Sequence, residues 1–231
     1  SDGRAVSQMK IDFLAPGAEI ETDACLTISS DKYLAYAADT QTVDAYGHCQ
    51  VRHRGLVVRA EYVQIDVAGN RLRAKRKPGS AGVRIARGDR AFLAEMLCYD
   101  LNTSQGTAVV EIADGQQAKL RFNGADFSTS PLDQGLDRSV FQFTDLSETQ
   151  VLVKAKSITI RPKHDIQFKK AELYVDGGRA LRLPLYLVPL TVAGPMAGFQ
   201  YLNVTSSGLK VDIPVYYSLT PSGTGAVRMR N

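Results

Sequence analysis

The sequence predicts an all-β fold of antiparallel strands, and three observations carry that prediction. Apolar and polar residues alternate with a period of two through most of the chain, as half-buried strands require. Turn dipeptides interrupt these runs at short intervals, too short for the crossovers that parallel strands need. Helical signals are scarce: the best helix candidate, Asp89 to Asp100, contains Phe92-Leu93 and Met96-Leu97-Cys98-Tyr99, which suit a strand equally well.

The alternation is clearest in Leu56 to Ile65, where Val58, Ala60, Tyr62 and Gln64 interleave with Val57, Arg59, Glu61, Val63 and Ile65. Val151 to Ile160 repeats it, as does Leu209 to Leu219 near the end of the chain. Gly69-Asn70, Pro78-Gly79, Asp114-Gly115, Asn123-Gly124, Asp176-Gly177-Gly178 and Ser206-Ser207-Gly208 supply the turns. Ser128 to Asp137, rich in Ser, Pro, Asp and Gly, reads as a longer loop dividing an N-terminal half, 1–130, from a continuing half, 131–231. The two halves can equally be one continuous domain.

Three segments share a local phrase of Ala, a charged residue and then alternating apolar positions ending at a charge. They are Ala60 to Asp66, Ala94 to Asp100 and Ala155 to Arg161, spaced 34 and 61 residues apart. Tyr33 to Val51 has the same strand-turn-strand grammar. Successive hairpins of one kind predict an elongated β structure in which each unit buries its apolar face against the next.

With 231 residues, 44% hydrophobic and 23% charged, the composition is globular, and a net charge of +4 is too mild to indicate a nucleic-acid domain. No run of 18 apolar residues predicts a membrane helix. The start, Ser1 to Val6, lacks the apolar core of a signal peptide, as both a mature secreted form and a chain trimmed for expression would. Alternating strands of about ten residues near the C-terminus suit a membrane barrel. Two readings follow: a natural protein continuing beyond Asn231 into a barrel, or strands that close the domain.

Arg71, Arg73, Lys75 and Lys77 alternate on one face of a strand, with Arg76 opposite. Arg71, Arg73 and Lys75 are candidate phosphate contacts, because guanidinium groups bind phosphate through paired hydrogen bonds. The competing reading is a solvated edge strand protected by charge. No aromatic residue interleaves with these charges, so nucleic acid is not the expected partner. His48, Cys49 and His53 form the one cluster that suggests a metal. Cys49 and His53 share a strand face about 13 Å apart, too far to coordinate one ion, and His48 faces the other way. No metal and no cofactor is expected. The three cysteines, Cys25, Cys49 and Cys98, allow one disulfide or none, and a Cys25–Cys49 bridge is preferred to a metal site. Glu111, Asp114, Asp126 and Asp137 have no spacing that predicts acid–base chemistry, and no catalytic motif occurs, so no enzyme is expected.

The order of these phrases resembles the OstA-like family of lipopolysaccharide transport and assembly, which includes a periplasmic bridge protein and the periplasmic domain of an outer-membrane translocon. Tyr99-Asp100-Leu101-Asn102-Thr103-Ser104-Gln105-Gly106 is similar to the family's "Tyr-Asp-x-x-Thr-Gly" with an insertion. Asp44 to Val51 matches "Ala-x-Gly-Asn-Val" loosely, with His48-Cys49 in place of Asn-Val, and Gly88-Asp89-Arg90-Ala91 resembles the family's unit opening. Lys154 to Ile160, Lys170 to Val175 and Leu183 to Leu190 resemble the translocon passage preceding its barrel, so the likeness covers roughly residues 30 to 220.

The resemblance implies an elongated antiparallel β-jelly-roll or β-taco, located in the periplasm or at the outer membrane. It implies non-enzymatic binding and transfer of lipopolysaccharide or a related lipid A-type glycolipid along an apolar groove. Implied partners are that glycolipid, an outer-membrane barrel, and other OstA-like modules joined by pairing of edge strands, with the first and last strands as partner surfaces. Val63, Ile65, Leu97, Tyr99, Ile158 and Ile160 fall on equivalent positions of the repeat and are the candidate groove lining. The same alternation fits an ordinary sandwich core. A β-structured scaffold without lipid, and a β-sandwich hydrolase or carbohydrate-binding module, are the alternatives.

Overall fold

A computed structural model describes residues 9–13, 25–112, 116–124, 126–132, 138–149, 151–162, 164–175, 177–190, 202–205, 208–220 and 223–230. The expected all-β fold is found. Its strands are β1 (Met9–Phe13), β2 (Leu26–Ser29), β3 (Tyr33–Ala37), β4 (Thr42–His53), β5 (Leu56–Asp66), β6 (Arg71–Lys75), β7 (Val83–Arg87), β8 (Arg90–Asp100) and β9 (Gln105–Glu111). They continue with β10 (Gln117–Asn123), β11 (Asp126–Pro131), β12 (Val151–Lys154), β13 (Ser157–Arg161), β14 (Asp165–Val175), β15 (Gly178–Pro189), β16 (Leu202–Thr205), β17 (Gly208–Thr220) and β18 (Gly223–Arg230). The ambiguous stretch from Asp89 becomes strand β8 over Arg90–Asp100, its backbone paired with β6, β7 and β9.

All pairings are antiparallel, and β2 to β15 form one sheet. Long strands run unbroken past pairs of short ones. β4 is lined by β3 and β2 end to end, β5 and β8 by β6 and β7, and β14 by β12 and β13. Apart from a bulge between Leu173 and Tyr174 on β14, the interruptions of this sheet fall on one row. Pairing of β4 with β5 stops at Tyr46–Tyr62 and resumes at Cys49–Ala60, where Gly47 and His48 take φ of 86° and 44°. On the same row the chain leaves the sheet at 76–82, β8 slips register between Ala94 and Met96, and Lys170 takes φ of 53° opposite the skipped Pro184. Bulges bend strands, and a row of them folds the sheet over a crease.

Two leaves result. The upper leaf holds β3, β6, β12 and the adjoining halves of β4, β5, β8 and β14; the lower leaf holds β2, β7, β13 and the other halves. Contacts across the fold confirm it: the rings of Tyr36 in the upper leaf and Phe168 in the lower are 5.6 Å apart. The pairings β4–β2–β13–β14–β12–β3–β4 close a ring of six strands. Because β2 and β3 are collinear, as are β12 and β13, this ring surrounds the crease and is not a barrel of staves. At about 4.8 Å per strand, the eleven ladder positions from β15 to β11 give the interior a length of about 48 Å.

The shared phrase of the sequence acquires a meaning here. Its charged second residue, Glu61, Glu95 or Lys156, stands on the crease row, and the apolar residues after it line the interior. The anticipated boundary near Ser128 to Asp137 falls partly on β11, and 133–137 lie outside the described residues. After it the chain crosses back, and β12 and β13 pair with β3 and β2 in the same sheet. Of the strands that begin the two sheets, β1 stands at an edge, pairing with β18 alone among the described residues. β2 is internal, while β11 pairs with β10 alone among the described residues.

β1, β18, β17 and β16 form a separate four-stranded sheet. Its register matches apolar residues across strands, with Met9 and Ile213 opposite Met229, Ile11 and Val215 opposite Val227, and Leu202 opposite Val211. Of the anticipated turns, Asp114-Gly115 and Ser206-Ser207 lie outside the described residues. Gly69-Asn70, Pro78-Gly79, Asn123-Gly124 and Gly177 stand at turns.

Candidate functional site

The interior is built by alternation. Val63 and Ile65 on β5, Leu97 and Tyr99 on β8, and Ile158 and Ile160 on β13 all face inward and are buried, none more than 4% exposed. They belong to one apolar cluster that runs through both leaves. Gly106 makes room within it. A Cβ there would lie 2.0 Å from the Phe122 ring, which stacks on Tyr99 at 5.7 Å.

Opposite the crease, the free ends of the leaves meet. The β4–β5 hairpin turns through Arg54 and Gly55, both at positive φ (45° and 75°), the requirement of a tight two-residue hairpin turn. That turn delivers His53 and Arg54 to the upper leaf. His53 Nδ1 lies 3.2 Å from the Tyr99 hydroxyl, and its ring meets Tyr99 edge-on. Arg54 Nη1 donates to Asn102 O at 3.0 Å and to Ser104 Oγ at 3.1 Å. Arg87 donates to Gly124 O and, at 2.9 Å, to Arg54 O. These few polar contacts latch the mouth beside a cleft of about 240 Å³ lined by Leu26, Val67, Leu101, Ile160 and Leu190. Burial, then the neighbouring Arg54 and Arg87, push the His53 pKa down to about 4, so its ring is neutral at physiological pH. At the adjacent β13–β14 tip, Arg161 Nε donates to Asp165 Oδ1 at 2.7 Å and a second guanidinium nitrogen donates to Oδ2, while His164 Nδ1 lies 2.8 Å from Oδ2.

Sequence reasoning missed this latch. The available signal was the Arg54-Gly55 dipeptide between two strands, which marks a hairpin tip but not what it reaches.

Arg71, Arg73 and Lys75 do share one face of β6, the outer face of the upper leaf. The reading of β6 as an edge strand is overturned, because β5 and β8 flank it. A strap, residues 138–149, crosses this face on the way from β11 to β12. Arg73 is 8% exposed and donates Nε to Val140 O at 2.9 Å. The Lys75 ammonium sits 4.4 Å above Phe143, whose ring packs on Tyr62. Gln64, fully buried, donates Nε2 to Thr144 O at 2.9 Å and accepts from Thr144 N at 2.7 Å. Arg71 lines a cleft of about 600 Å³ with Asp100, Arg121 and Asp126, and Lys77 lies 3.5 Å over the Tyr46 ring.

The cysteines are free thiols, which corrects the expected Cys25–Cys49 bridge. The β2–β4 register sets Thr27 opposite Arg52 and Ser29 opposite Gln50, so Cys25 and Cys49 are displaced along the strands by about 17 Å. A disulfide needs Cα atoms within about 7 Å. Burial pushes all three thiols up, Cys49 to about 11, which keeps them protonated and weakly nucleophilic at neutral pH. Cys49 and His53 share the buried inner face. His48 is exposed, with its ring nitrogens 3.4 Å from Asp31 and 3.5 Å from Glu61. Among the described residues no group of three His, Cys, Asp or Glu side chains is placed to hold a metal.

No protein-family model matches the chain, and no curated protein matches it.

Proposed function

We propose that this protein is a non-enzymatic clamp of OstA-like type that takes the acyl chains of lipopolysaccharide or a related glycolipid between its two leaves, in the periplasm or at the outer membrane. The observation that carries the reading is the apolar interior running across eleven ladder positions, hinged at a row of bulges and latched opposite by a handful of hydrogen bonds. A ladder interrupted at every long strand bends there most cheaply, and the hydrogen bonds that hold the mouth are few, those of His53, Arg54 and Arg87. Each methylene that enters gains about 0.8 kcal/mol. β11, paired with β10 alone among the described residues, offers an edge to another module of the same kind, and the four-stranded sheet, with apolar residues matched across its strands, suits continuation into an outer-membrane barrel.

One observation favours a scaffold without lipid: the interior is already filled by its own side chains. Photocrosslinking separates the two. With benzoylphenylalanine in place of Leu101 at the mouth, added lipopolysaccharide crosslinks; in place of the outward-facing Thr159, between buried Ile158 and Ile160, it does not. Equal crosslinking from both positions, or none from either, rejects the clamp.

A further inference from the structure

We propose that the outer face of the lower leaf carries a second binding site, for a phosphate monoester bearing an alkyl group, centred on Arg59 and Arg84. Neither residue belongs to the interior, and the proposal stands whether or not the interior takes lipid.

The ladder puts Gln50, Arg59, Arg84 and Leu93 in one row across β4, β5, β7 and β8, each the register partner of the next. Alternation turns all four away from the core, where Val51, Val58, Ile85 and Ala94 are buried. Arg59 and Arg84 are thus like charges directly opposed, an arrangement that destabilises a sheet. Among the described residues no carboxylate lies within ion-pair distance of either. Arg59 Nε donates to Gln50 Oε1 at 3.1 Å, which holds the guanidinium without neutralising it.

The same row ends in Leu93, 56% exposed and one of two large apolar side chains standing out among the described residues. It lies against the bare backbone of Gly82, where a Cβ would come 3.3 Å from Leu93 Cδ1 and 3.0 Å from Ala94 O. Both arginines, Gly82 and Leu93 line one cleft of about 680 Å³ beside the crease, within the range of about 300–1,000 Å³ usual for small-molecule sites. Glu61 also lines it, and its Oε1 is turned toward His48 Nε2 at 3.5 Å.

Two unneutralised guanidinium forks call for a ligand with about two negative charges and several acceptor oxygens. A phosphate monoester carries about −1.5 to −2 at neutral pH and accepts from two forks at once; a single carboxylate does not. The exposed Leu93 adds a place for the first carbons of an alkyl chain.

Isothermal titration of the whole chain with hexyl phosphate and with inorganic phosphate, at low salt, tests this. Hexyl phosphate binds, and inorganic phosphate binds about tenfold more weakly, the worth of about two buried methylenes. Arg59→Gln and Arg84→Gln each weaken hexyl phosphate by at least about tenfold, the lower range for a hydrogen bond to a charged group. Leu93→Ser erases the preference for the alkyl ester. Arg84→Glu abolishes binding yet raises the urea midpoint, because it sets opposite charges across the β5–β7 ladder. Sedimentation with phosphatidic acid vesicles, against phosphatidylcholine vesicles, separates the sources: capture that depends on Arg84 assigns a membrane lipid, and titration without capture assigns a soluble ester. No binding of hexyl phosphate, binding indifferent to both arginines, or equal affinity for inorganic phosphate overturns the proposal.

Discussion

The latch at the mouth makes stability depend on the protonation of one buried ring. His53 is 3% exposed, and its pKa falls from the ordinary 6.5 to about 4. The unfolded chain therefore binds this proton more readily than the folded one, and stability is lost as pH falls. The contribution is complete above about pH 6.5 and drains away between about 6.5 and 4. Between about pH 7.5 and pH 5 the two pKa values give a loss of about 2 kcal/mol. The assay is urea denaturation at both pH values, comparing the parent with His53→Gln, which can still donate to the Tyr99 hydroxyl but does not titrate. Every other ionisable group is common to both proteins and cancels. The parent should lose about 2 kcal/mol more than the variant on acidification. Equal losses would refute the reasoning, because they would mean His53 protonates as easily folded as unfolded.

Gly106→Ala should destabilise by about 1–3 kcal/mol in the same denaturation, the range for overpacking, because the new methyl meets the Phe122 ring; an unchanged midpoint would contradict the packing of β9 on β10. Gln64→Ala should cost about 2–3 kcal/mol, since it strands both backbone groups of Thr144 that the strap presents to the sheet. A protease cut within 138–149 that appears in Gln64→Ala but not in the parent would locate that loss. All three cysteines should remain reduced after air oxidation, and Cys49, fully buried, should react with Ellman's reagent only on unfolding; a Cys25–Cys49 disulfide in a peptide map would overturn the β2–β4 register.

The strands and most turns were legible because period-two alternation and turn dipeptides are local signals, and Val63, Leu97 and Ile158 were readable as one face for that reason. Features set by pairing between distant segments were not. The crease depends on bulges aligning across strands far apart in sequence. Glu61, Glu95 and Lys156 carried its signature as a repeated charge after Ala, but only the ladder shows that they stand on one row. The strap is a crossover: nothing in Arg73 or Gln64 announces a backbone segment 67 or 80 residues away as the partner. The preference for a Cys25–Cys49 bridge failed because pairing of thiols is set by register, which cysteine spacing does not contain. Arg59 and Arg84 escaped notice because opposition across β5 and β7 is invisible along the chain.

The central claim is that the folded sheet parts to hold glycolipid, and native mass spectrometry of the chain exported to the periplasm of a lipopolysaccharide-producing bacterium tests it most directly. The account predicts a glycolipid adduct that survives gentle desolvation and grows more abundant in Arg54→Ala, whose mouth is less tightly latched. A bare protein mass in both proteins, unchanged after incubation with purified lipopolysaccharide, would contradict it and leave a closed β scaffold.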